Sequence, residues 1–124
     1  MDLVMQGLVG AMSVMVLGLG ATSMFAPKAM IGNFAIEPQG RAGLNTIRGV
    51  IGGLFIACLG MLAAGLVTGE TLWFLAVAAV FGVIALGRVV GLLFDGLDRT
   101  VIPPLLLELV FTGILVGAHA QLGA

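Results

Sequence analysis

The sequence predicts an all-α integral membrane protein, a four-helix bundle built as one domain over residues 1–124 with both termini on the same side. Three observations carry that expectation. Apolar residues make up 60 % of the chain and charged residues 9 %, with a mean hydropathy of +1.24, whereas a soluble domain carries about a quarter charged residues. The apolar positions fall into four stretches, each near the ~20 residues that cross a hydrocarbon layer ~30 Å thick. Prolines and most charges gather between those stretches.

The first helix, about 3–25, contains no charge and stops at Pro27, which cannot continue the backbone hydrogen-bond ladder. PKAMIGNFAIEPQGRAG follows. Met30, Ile31 and Phe34 stand at helical spacing there and predict a short turn lying on the membrane surface. The second helix, about 44–67, ends at the turn TGE. So short a connection makes the second and third helices antiparallel neighbours. The third, about 71–94, places Trp73 at headgroup level, where indoles are favoured. DGLDRTVI is the next loop, and Pro103 and Pro104 open the fourth helix, about 104–121. Proline costs little in a first turn, where its missing N–H would be unpaired anyway. Gly49 with Gly53, Gly87 with Gly91 and Gly113 with Gly117 recur at four-residue spacing, which in lipid lets helix backbones approach and is expected to pack the bundle.

Four passes put both termini and the Glu70 turn on one side and the loops at 26–43 and 95–103 on the other. Lys28, Arg41 and Arg99 lie in those loops, and Arg48 and Arg88 just inside the adjoining helix ends. Positive charge is held in the cytoplasm, so the loops are expected there and the termini outside. MDLVMQGLVG lacks the positive start of a secretory signal and reads as part of a retained helix.

Several function classes find no support. A net charge of −1 leaves no basic footprint for nucleic acid. Cys58 has no partner cysteine and reads as a buried, inert thiol. His119 has no second His or Cys for a metal site and is expected to be a solvated side chain at a helix end. Met5, Met12 and Met15 are soft ligands, yet their placement along one helix suits packing or lipid contact. Ser13 and Ser23 lack a companion base. GLVGAMSVMVLGLGA has glycines without the strand and loop of a phosphate site. No cofactor, metal or enzymatic activity is expected.

The polar chemistry gathers near one membrane surface. Arg48 lies about five residues into the second helix, Arg88 about six from the end of the third and Glu108 about four into the fourth, similar depths at ~1.5 Å per residue. Asp95 shares a helix face with Arg88 and Gly91, and Asn45 lies one turn from Arg48. An ionisable group inside a span costs ~2.5–3.5 kcal/mol on insertion scales and therefore takes a partner. Arg48, Arg88, Asp95, Glu108 and Asn45 are accordingly expected to form one shallow layer, with Arg88 facing inward, neutralised by Glu108 or Asp95. Such a layer can simply tie helix ends together, or its spare guanidinium donors can hold a lipid phosphate or carboxylate. Snorkelling of Arg48 and Arg88 to the surface is a third arrangement. A transport path would need groups near the midplane, yet the residues there, near Val14, Met15, Cys58, Val80 and Leu115, are not ionisable. Glu108, Thr112 and His119 share a face of the fourth helix with no protonatable group bridging the gap to His119.

LNTIRGVIGG (44–53), GRVVGLLFDG (87–96) and a glutamate early in the last helix, LLLELVF (105–111), resemble small bacterial four-helix membrane proteins grouped as the domain-of-unknown-function family DUF4345. The most specific pieces are Arg48 followed by Gly52 and Gly53, and Gly87, Arg88, Asp95 and Gly96. The resemblance implies four spans in a bacterial inner membrane and weight on Arg48, Arg88, Asp95 and Glu108; it implies no substrate. The function expected is a non-catalytic accessory or scaffolding subunit, or a lipid-binding module, partnered by membrane lipid and by a larger complex or copies of itself. The alternative is an oligomeric transporter or channel for an anionic solute; an enzyme acting on lipid ranks third.

Overall fold

The computed structural model describes residues 2–123, and the side chains of all of these except Asp2, Asn33 and Phe34. Among the described residues, four helices are long and apolar enough to cross a membrane. They are α1 (Asp2–Phe25), α2 (Gly40–Thr68), α3 (Leu72–Phe94) and α4 (Ile102–Leu122). Each packs on the next in sequence and α4 closes the ring on α1, with α1 and α2 the most extensively paired.

All four helices are apolar around their whole circumference, the pattern of a helix whose outer face also meets an apolar medium. Val9, Met12, Val16, Cys58, Leu62, Phe74, Phe81 and Leu115 fill the interior, while Leu3, Val14, Val67, Leu93 and Phe94 stand exposed outside. In water such a surface would aggregate; in a bilayer it is the solvated face. Met5 and Met12 belong to the core, whereas Met15 is exposed.

The connection after α1 departs from the sequence expectation. Pro27–Met30 is a 3₁₀ turn and Ile31–Phe34 a single helical turn. Met30 is buried against the bundle instead of lying on a surface, and the side chain of Phe34 lies outside the described residues. The second helix begins at Gly40, ahead of residue 44, and contains a π-helical turn at Ile47–Gly52. A π turn is wider than an α turn and rotates the helical segments on its two sides relative to each other. Gly52 permits the fit: a Cβ there would stand 3.0 Å from the backbone nitrogen of Met24 on α1. At the other end of α2, Gly69 adopts φ 74° and its N–H reaches the Gly65 carbonyl, reversing the chain into α3.

The glycines that admit the tightest contacts are not the spaced pairs. A Cβ added at Gly49, Gly53, Gly87 or Gly113 would meet nothing within 4 Å, while one at Gly65 would run into the Phe74 ring and one at Gly20 into Ile56. Spacing identifies which glycines share a face, but tertiary packing decides which face is covered.

Candidate functional site

Proline at the first turn of α4 fixes where the helix starts and leaves Glu108 under two turns inside. Across from it, the Arg88 Nε donates to both Oε1 and Oε2 of Glu108 at 2.8 Å each. The pair joins α3 to α4; the Arg88 side chain is 29 % exposed and that of Glu108 11 %. One N–H shared between two oxygens leaves the terminal guanidinium nitrogens, which suit a planar anion, with no bond among the described residues. Thr112 Oγ1 donates to the Glu108 backbone carbonyl at 2.8 Å.

Two clefts meet at Arg88. One, of about 230 Å³, draws its walls from every helix: Leu19, Phe55, Phe81, Leu107 and Phe111, with Thr100 also lining it. Phe81 and Phe111 pack edge to face, centroids 5.4 Å apart. The other, of about 280 Å³, is lined by Gly91, Asp95, Gly96, Asp98 and Val101 besides Arg88. Asp95 lies beside Gly91, where a Cβ would stand at an ordinary contact distance of 3.8 Å from the Asp95 Oδ2. Asp98 Oδ1 accepts from the Thr100 N–H at 2.9 Å and from its hydroxyl at 2.7 Å. Those bonds hold the Asp98 carboxyl below its ordinary 3.8.

Arg48 goes elsewhere. It lies in the π turn, and its Nη1 donates to the Met24 carbonyl at the end of α1, at 2.8 Å. It lines a cleft of about 400 Å³ with Phe25, Lys28 and Leu44, and another of about 210 Å³ with Arg41, Leu44 and Asn45. Among the described residues, no carboxylate lines either.

The expected single layer is therefore two regions of opposite sign. Arg88 and Glu108 are brought together; Asp95 shares a cleft with Arg88 but, among the described residues, forms no ion pair with it; Arg48 and Asn45 belong to a separate, cationic region. Depth could be counted from sequence, but the direction each side chain faces could not, because the π turn breaks the 3.6-residue phase through Arg48. His119 is likewise not merely solvated: its Nδ1 lies 3.0 Å from Oγ1 of buried Thr71. Neither Thr71 nor Thr100 carried a sequence signal. Among the described residues no three His, Cys, Asp or Glu side chains converge as a metal site requires.

Fold and site together define a small multi-pass α-helical membrane protein with an ion-paired helix end. The chain matches the family model described as Domain of unknown function (DUF4345) over residues 4–119, and it belongs to that family. No curated protein and no solved structure matches it.

Proposed function

We propose that this protein is a non-catalytic lipid-binding module of a bacterial inner membrane, holding the phosphate of an anionic phospholipid on Arg48, Arg41 and Lys28, and serving as an accessory unit to a larger complex or to copies of itself. The supporting observation is the uncompensated positive charge of two adjoining clefts. Arg48 spends one nitrogen on the Met24 carbonyl, which fixes the guanidinium while leaving its charge unpaired. Lys28 and Arg41 line the same pair of clefts. Guanidinium and phosphate form short charge-assisted bonds, and exposed Phe25 and half-buried Leu44 offer the glycerol and chain an apolar flank. In the proposed orientation these clefts open on the cytoplasmic leaflet, where anionic lipid attracts each basic residue by about 1 kcal/mol.

Native mass spectrometry of protein released from micelles containing phosphatidylglycerol and phosphatidylcholine with matched chains tests this. Phosphatidylglycerol should be retained at least five-fold over phosphatidylcholine, and Arg48→Gln with Arg41→Gln should erase the preference. Equal retention of the two by the unaltered protein would refute the reading.

A further inference from the structure

The paired clefts at Arg88 have a different chemistry, and we propose that they hold one amine-bearing zwitterionic phospholipid, its ammonium on Asp95 and Asp98, its phosphate on Arg88 and part of an acyl chain in the aromatic cleft. This site is separate from the anionic-lipid site at Arg48.

Charge selects the ligand class. Around Arg88 stand Glu108, Asp95 and Asp98, so carboxylates outnumber the one cation lining these clefts. A purely anionic headgroup would be repelled there. A headgroup carrying both a phosphate and a cationic amine places each charge against its opposite. Arg88 has the donors, because Glu108 occupies only Nε. Asp95 makes no side-chain hydrogen bond among the described residues, and Asp98 directs Oδ1 alone to Thr100.

The order of groups along α3 supplies a second argument. Asp95 sits at the helix end, Arg88 seven residues inward and Phe81 seven further; at ~1.5 Å rise these are steps of about 10 Å. Amine, phosphate and acyl chain follow the same order from water into the bilayer. Arg88 lines both clefts and is the residue through which one molecule would pass from the polar to the apolar region. At about 230 Å³ the apolar cleft falls below the ~300–1,000 Å³ of pockets that enclose a whole small ligand, so it takes a length of one chain and leaves the rest in the bilayer.

The test compares headgroups in which N–H donors are replaced one at a time by methyl groups at constant charge. In micelles of equimolar phosphatidylethanolamine, its mono- and dimethyl derivatives and phosphatidylcholine, native mass spectrometry should show retention falling stepwise with methylation, at least five-fold overall. Asp95→Asn, an exposed change that spares the Arg88–Glu108 pair, should reduce that ratio to less than two-fold. Equal retention of phosphatidylethanolamine and phosphatidylcholine, or an Asp95→Asn ratio unchanged from the parent, overturns the proposal. Arg48→Gln should leave the ethanolamine preference intact, so this site and the anionic one fail or stand separately.

Discussion

Arg88 and Glu108 are each other's solvation. Removing the arginine leaves a carboxylate in a site 11 % exposed, and stranding one partner of a buried pair is far worse than deleting both. Arg88→Leu should cost about 3 kcal/mol, the low end for a buried pair because the arginine is partly exposed. Adding Glu108→Gln should restore at least about 1 kcal/mol; strictly additive losses in detergent melts would mean that the two do not interact. Ser23 offers the opposite case. Its hydroxyl is fully buried and has no hydrogen-bond partner among the described residues, and an unsatisfied buried polar group costs about 1–3 kcal/mol. Ser23→Ala should raise stability by up to about 1 kcal/mol, checked by the same melts. The Arg88–Glu108 partnership was legible because an intramembrane charge needs an opposite charge at equal depth. The preference of Arg48 for a backbone carbonyl was not, since carbonyls leave no mark in a sequence.

At the scale of elements, the π turn of α2 and the 3₁₀ turn Arg99–Val101, which Asp98 caps just before α4, position the two regions. A Cβ on Gly52 would stand 3.0 Å from the α1 backbone, whereas one on Gly53 would meet nothing within 4 Å. Gly52→Ala should therefore force backbone movement costing about 1–3 kcal/mol, while Gly53→Ala should gain about 0.5–1 kcal/mol from the helix preference for alanine. Similar melting points for the two variants would contradict this packing. At the other turn, the Asp98 carboxyl has a folded-state pKa below 3.8. Its capping contribution is present above the unfolded value and is lost as pH falls through the lower, folded one. The Thr100 amide should hold its hydrogen-bonded NMR shift at neutral pH and lose it only below about pH 3.8, in step with the carboxyl; a shift indifferent to acid would dismiss the cap. Helix positions were readable because each break carries proline, glycine or charge. The early start of α2 and its π turn were not, because GRAGLNTIRG suits an α-helix as well, and the wider turn lies where α2 packs on Met24, a contact distant in sequence.

At the scale of the molecule, every charged residue except Asp2 and Glu70 belongs to the end of the bundle formed by the end of α1, the start of α2 and the α3–α4 junction. Contacts of Thr71 with His119, and the approach of Met5 to Gly117, mark the opposite end. The four spans were legible because composition demands an apolar solvent. The division of the charged end into a cationic and an acid-rich region was not, because it depends on which faces the four helices turn to one another. Lipid selection by sign requires that the charged end meet one membrane surface and the Glu70 turn the other. Single cysteines replacing Glu37, Asp95 and Glu70, labelled with a membrane-impermeant maleimide in sealed inside-out and right-side-out vesicles, test that arrangement directly, with fully buried Cys58 silent. The account predicts that positions 37 and 95 react from the cytoplasmic face and position 70 only from the opposite one; reaction of all three from a single face would contradict it.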